Sequence, residues 1–258
     1  REHSIIKEIN SGDVGHDIFH LYSKENFYEC TPQSIANSAL RWKKYKRCYQ
    51  SKPDSKLDIA LIGDSHSEHL FIGLAENLKN YNIVNYIQNA LPSVNNENYK
   101  DIFQHVISDK NIEIVIISAF WTFRNREVPP QSSLVEELDQ TIERLYKAKK
   151  KIYVVQDTPS FSFDPHLCKY ERKLRKKVLC SENDRGYIRR NKFYMPEFKR
   201  LENQKQKFTL LNIEEYFCKS NYCNMNKNNN LLFRDSNHLN INGSKYIGNI
   251  LSDLILVN

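Results

Sequence analysis

Three residues in this sequence are of the types that together make a serine nucleophile: Ser65, Asp235 and His238. A serine hydroxyl attacks poorly until an imidazole takes its proton, and that imidazole needs a carboxylate to fix its tautomer and stabilise its cation. Ser65 follows an apolar run and Gly63-Asp64, and leads directly into a helical pattern. Gly63 permits the sharp turn between strand and helix. Ser65 then stands at a helix start, where backbone N–H groups and the dipole favour a developing oxyanion. The same serine also fits a plain N-cap. Asp235 precedes His238 by three residues on one segment ahead of the last helical pattern, so a single loop can supply base and orienter. Alone, that spacing also describes a capping aspartate beside a surface histidine. Together with Ser65 it specifies acyl-transfer chemistry.

Such residues need elements to hold them. Short β-branched runs at 57–62, 83–87, 112–117, 152–156 and 208–211 read as strands, the third and fourth nearly continuous in apolar residues as buried parallel strands are. Between them, 68–78, 99–108, 134–148 and 187–206 read as helices, and 241–256 closes the chain. Repeated β–α alternation with right-handed crossovers predicts a three-layer α/β/α, flavodoxin-like domain over 57–258, with a central parallel sheet of about five strands. Residues 1–56 break the alternation and read as an N-terminal extension packed onto that domain. The Asn/Lys-rich stretch 224–230 reads as a surface loop.

Composition narrows the function classes. Seven glycines in 258 residues leave no glycine cradle for a nucleotide. The net charge of +7 admits anionic partners, but the basic runs 169–177 and 185–207 read as solvated helix faces. No zinc-finger spacing or aromatic–basic motif accompanies them, so nucleic acid is not an expected partner. Six cysteines allow fifteen connectivities. Their order along the chain favours neighbours, Cys30–Cys48, Cys168–Cys180 and Cys218–Cys223, over six free thiols, and hence an oxidising compartment. No metal cluster is expected.

The stretch Leu61-Ile62-Gly63-Asp64-Ser65-His66, with Asp235-Ser236-Asn237-His238-Leu239 far downstream, resembles the first and last blocks of the SGNH hydrolase superfamily. The Gly-Asp-Ser-His form, a tryptophan after the third strand and cysteines ahead of the last block resemble one branch: periplasmic SGNH domains fused to acyltransferase-3 membrane proteins, which O-acetylate lipopolysaccharide O-antigen and other surface glycans. The resemblance covers about 57–256, with 1–56 as the extension linking a missing membrane domain in the same chain. It implies Ser65 as nucleophile, His238 as general base and Asp235 as its orienter, at the periplasmic face of the bacterial inner membrane. The implied acceptor is the glycan. The ultimate acetyl donor is acetyl-CoA, delivered through the membrane domain, and this domain needs no cofactor of its own.

The middle blocks depart from that pattern. Where a glycine usually donates to the oxyanion, the chain has Gln88-Asn89-Ala90, so the expected donors are Ser65, the Ala90 N–H or the Asn89 side chain. Where an asparagine usually follows strand three stands Trp121, expected either to face a sugar or to fill the core. His66 is a candidate substrate contact, with a structural hydrogen bond as the plainer alternative, and His69 is expected on the surface. An acetyl-esterase with the same triad and a non-catalytic glycan-docking module are the competing readings.

Overall fold

The computed structural model describes residues 6–8, 15–168, 170–172, 180–186, 191–228 and 230–257. Its centre is made by the apolar runs, which are too continuous to leave one face wet. The strands are β1 (Tyr28–Glu29), β2 (Cys48–Gln50), β3 (Ile59–Gly63), β4 (Ile83–Ile87), β5 (Ile114–Ser118), β6 (Lys151–Val155) and β7 (Thr209–Leu211). They form one sheet in the order β7-β6-β5-β3-β4-β2-β1. β3 through β7 pair in parallel, whereas β1 and β2 run antiparallel.

Alternation along β3 splits the core between two faces. Ile59 and Leu61 point toward α3 (Ser65–Asn77) and α9 (Ile241–Val257). Ala60 and Ile62 point toward α4 (Lys100–Ser108), α6 (Leu134–Lys147) and α7 (Met195–Lys205). This is the three-layer arrangement that the β–α alternation implies. α3 and α9 press close because they cross at glycines: a Cβ on Gly73 would lie 1.8 Å from the Ser244 carbonyl oxygen.

The parallel register is level at its downstream edge. Gly63 sits opposite Ile87 and Ser118, and Ser118 opposite Val155. Since the chain leaves β3 for β4 on one side and reaches β5 on the other, the crevice outside Gly63 is the switch point where such sheets bind ligands.

The extension does more than pack on this sheet. Its β2 pairs with β4 and its β1 with β2, enlarging five parallel strands to a seven-stranded sheet. α1 (His16–Asn26) and α2 (Gln33–Ser38) accompany them, and at the far edge the short α8 (Glu214–Phe217) follows β7.

Within the predicted helix over 187–206, Asn191 is helical, a turn at 192–194 follows, and the helix runs from Met195 to Lys205; Pro196 falls in the first turn, where its missing N–H has no partner to lose, and residues 187–190 lie outside the described residues. The basic run 169–177 is not helical where it is described, since Tyr170–Arg172 pairs with Ile6–Glu8 as a strand. The Asn-rich stretch contains a tight hairpin, Asn226–Lys227 against Asn230–Leu231, with Asn228 in the left-handed region that asparagine tolerates.

Two of the expected disulfides are formed, Cys30–Cys48 and Cys218–Cys223. Cys168 and Cys180 are instead buried thiols, a correction to the expected third bridge. The Cys180 thiol donates to the Cys168 carbonyl and the Cys168 sulfur lies 3.9 Å from the Met225 sulfur, while a side-chain hydrogen bond with Cys180, reinforced by burial, pushes the Cys168 thiol pKa up. Alkylation without reductant is expected to modify two cysteines after unfolding. Intact mass after labelling checks this, and a third bridge would leave none to modify.

Candidate active site

The site begins with the turn after β3. Gly63 has φ +156°, and a Cβ there would stand 1.7 Å from the Ser118 carbonyl oxygen of β5. Only glycine lets the two backbones meet. Gly63→Ala is expected to cost about 3 kcal/mol or more, the upper end for overpacking, read by urea denaturation. Asp64 follows as the cap of α3, its side chain accepting from the His66 N–H at 2.8 Å. Ser65 is the first residue of the helix and is partly exposed.

Asp64 is itself buried at 1% exposure and must be compensated. The Arg124 Nε donates to it at 2.7 Å, from the short helix α5 (Trp121–Arg124) just beyond β5, and the Phe120 N–H adds a further bond. A terminal nitrogen of the same guanidinium donates to the Asn89 Oδ1 at 2.8 Å. The turn that carries Ser65 is thereby tied to the loop after β4.

The second half of the site is the loop before α9. The Arg234 N–H donates to the His238 carbonyl, and Phe233 bridges Leu239, so the loop folds back on itself. Asn240 holds both ends: its amide donates to the Leu231 carbonyl and its Oδ1 accepts from the Gly243 N–H. Asp235 Oδ1 accepts from the backbone N–H groups of Asn237 and His238 at 2.8 and 2.7 Å. Asp235 Oδ2 then lies 2.7 Å from His238 Nδ1, and His238 Nε2 lies 2.8 Å from Ser65 Oγ. The two motifs from opposite ends of the domain meet in one hydrogen-bonded relay at the downstream edge of the sheet.

The sequence model of the family described as "SGNH domain (fused to AT3 domains)" matches residues 29–253. The chain belongs to this family. No curated protein matches the sequence. Among solved structures, this SGNH domain is similar to the periplasmic domain of a lipopolysaccharide acetyltransferase from Salmonella ser. Paratyphi A, at 14% identity over 93% of this chain and 96% of that one, with a TM-score of 0.63. It also matches Est24, a carbohydrate acetylesterase from Sinorhizobium meliloti, at 11% identity over 78% of this chain and 99% of that one, with a TM-score of 0.49. The first likeness shows the SGNH-hydrolase-like fold.

Electrostatics within the SGNH domain suit a neutral base beside an ionised orienter. Burial lowers the His238 pKa below its ordinary value despite the Asp235 hydrogen bond, which acts the other way. Burial alone would raise the Asp235 carboxyl, but hydrogen bonds from His16 and His238 outweigh it and hold that group well below the carboxylate range. At neutral pH the imidazole therefore has a lone pair to offer Ser65.

Two expected substrate contacts are corrected. Trp121 is 1% exposed and belongs to the core: its indole N–H donates to the Val155 carbonyl at 2.8 Å and its ring meets Phe198 edge to face. It offers no surface to a sugar. His66 is equally buried, with its ring stacked on Phe120 at 4.5 Å and no polar partner for either ring nitrogen. Burial pushes its pKa down to about 3. It therefore reaches neither an open pocket nor the structural hydrogen bond expected as the alternative. His69, expected on the surface, is buried at 1% and its Nδ1 faces the Leu239 N–H at 3.4 Å.

The expected oxyanion residues lie beside the nucleophile turn, since the Gln88 N–H donates to the Gly63 carbonyl at 3.1 Å. Asn89 is exposed and Ala90 buried. With Asn89 Oδ1 occupied by Arg124, the amide nitrogen is the end of that side chain left to donate to a ligand.

Two participants escaped the sequence reading. Arg124, three residues after Trp121, carried only the signal of helical spacing. His16 carried none, yet its Nε2 lies 2.8 Å from Asp235 Oδ2. Among the described residues, His16, Asp235 and His238 are also the trio whose ligand atoms are close enough to hold a metal ion. Their separations are those of N–H···O bonds, so a cation there would have to displace the protons that hold His238 in place.

Proposed function

We propose that this SGNH domain transfers acetyl groups through Ser65 to hydroxyls of a bacterial surface polysaccharide, the O-antigen of lipopolysaccharide being the expected acceptor. The observation that carries the reading is the relay from Asp235 through His238 to Ser65, at 2.7 and 2.8 Å. In the first half-reaction His238 Nε2 takes the Ser65 proton as Oγ bonds the acetyl carbonyl carbon, and the leaving group departs with that proton. In the second, a glycan hydroxyl gives its proton to His238 while attacking the acetyl-serine ester, and Ser65 leaves with the proton restored. The Ser65 and Ala90 N–H groups and the Asn89 amide are the donors proposed for the oxyanion.

The family description supports a membrane partner: these domains are fused to AT3 domains. On this reading an AT3 domain in the same chain supplies the acetyl group, acetyl-CoA is the ultimate donor, and the SGNH domain works at the periplasmic face of the inner membrane. The two disulfides fit that oxidising compartment. Among the described residues, no helix is long and apolar enough to cross a membrane. The Salmonella neighbour, a lipopolysaccharide acetyltransferase periplasmic domain, supports the acceptor class. Deleting the gene and restoring it is expected to remove and return O-acetyl signals in NMR spectra of the surface polysaccharide. Spectra that do not change would reject the proposed acceptor.

A further inference from the structure

A carboxylate offers about four lone-pair positions, and on Asp235 four donors occupy them. Oδ1 accepts from the backbone of Asn237 and His238, and Oδ2 from His238 Nδ1 and from His16 Nε2. Three of these donors belong to the loop that carries Asp235. The fourth arrives from the first turn of α1, ahead of residues 29–253 that the family model matches. His16 is held where it stands. Its ring lies 4.9 Å from that of Trp42 and meets His238 edge to face at 5.4 Å. Trp42 is in turn anchored by an indole N–H bond to Asp17, the next residue of α1.

We propose that His16 is a positioning residue of the triad, whose Nε2–H holds the Asp235 carboxylate so that Oδ2 stays on His238 Nδ1. The inference rests on the acyl-transfer reading above. The backbone donors grip only Oδ1, so without His16 Oδ2 would keep a single partner on a side chain that is already 26% exposed to water. Water at the open lone pair competes for the carboxylate and lets it tilt away from the imidazole. His16 fills that position and covers it. The outcome is that the extension completes the active site: the placement of α1 sets the geometry of Asp235, and through it the orientation of the base.

The test compares wild type, His16→Leu and His16→Gln, whose amide can still donate to Oδ2, in the whole chain. A fluorophosphonate probe reads the reactivity of Ser65 by its labelling rate, and proton NMR reads the downfield His238 Nδ1–H resonance. His16→Leu is expected to slow the maximal labelling rate about tenfold, in line with losing one hydrogen bond to a charged group, with probe affinity unchanged. His16→Gln is expected to recover most of that rate. The resonance should move in the leucine variant and stay near its place in the glutamine one. Folded His16→Leu protein that labels at the wild-type rate, or equal losses in both variants, would overturn the proposal. Wild-type protein that never labels would defeat the acyl-transfer reading instead, and the resonance would then decide the positioning role alone.

Discussion

Replacing Ser65 by alanine is expected to abolish polysaccharide O-acetylation while leaving the fold intact. On the proposed mechanism Ser65, His238 and Asp235 act as a unit, so loss of the nucleophile would remove nearly all the acceleration that the unit provides. The structural cost is small. The cap of α3 is Asp64, not Ser65, and Ser65 is partly exposed, so the melting temperature should stay within a few degrees of wild type. His238→Ala should be equally inactive. Asp235→Asn is expected to keep a trace of activity: the imidazole remains but loses the partner that fixes its tautomer, at a cost on the order of 10⁴ in rate. O-acetyl NMR of polysaccharide from cells carrying each variant, beside thermal melts of the purified protein, separates loss of chemistry from loss of fold. Normal acetylation with Ser65→Ala would favour a docking module over an enzyme.

Glu68→Ala is expected to be the most destabilising single change at the seam between the extension and the sheet. Glu68, in the first turn of α3, is 4% exposed and receives two hydrogen bonds from Arg47 of the extension, at 2.9 and 2.7 Å. His20 of α1 and Arg234 of the catalytic loop lie within 3.6 and 4.0 Å. Removing the carboxylate leaves two arginines largely buried without their counter-charge, a change that costs about 3–5 kcal/mol. Both halves of the site should loosen together.

The same network sets the acid limit of the fold. Burial would raise the Glu68 pKa, but the Arg47 guanidinium outweighs it and brings the group down to about 2 from an ordinary 4.5. A carboxylate depressed on folding gives stability that is complete above its unfolded pKa and is lost as pH falls through the folded one. About 3 kcal/mol should therefore disappear between roughly pH 4.5 and 2 in the wild type. In Glu68→Gln that part of the acid dependence should be missing, and urea denaturation across the range would show it. An unchanged slope would place the acid-sensitive charge elsewhere.

What was legible in the sequence follows from the range of the forces involved. The runs read at 83–87 and 112–117 carry their signal locally because nearly all of their apolar residues are buried; the first is a strand at 83–87 as read, and the second is a strand shifted to 114–118. The turn at Gly63 and the pair Asp235 and His238 were legible because their chemistry restricts residue type and spacing. β1 has two residues and β2 three, and an element that short has no periodicity to read; its place is set by pairing with β4. Trp121 was ambiguous because sequence does not say which side of α5 faces inward, and the neighbouring Phe123 is the residue left exposed, at 45%. His66 and His69 were misplaced because the helix after a nucleophile normally has a wet side, whereas α3 is enclosed between the sheet, α9 and the extension. His16 was invisible for a simpler reason: its partner is the loop near the other end of the chain, and nothing local announces the contact.

On the proposed mechanism the acetyl group rests on Ser65 between donor and acceptor. Membranes carrying the full-length protein, supplied with acetyl-CoA in the absence of polysaccharide acceptor and quenched in acid, should yield the peptide containing Ser65 with one acetyl ester on that residue. Peptide mass mapping reads it directly, and adding the acceptor should discharge it. Polysaccharide acetylation that proceeds at full rate while Ser65 never carries an acetyl group would contradict the account.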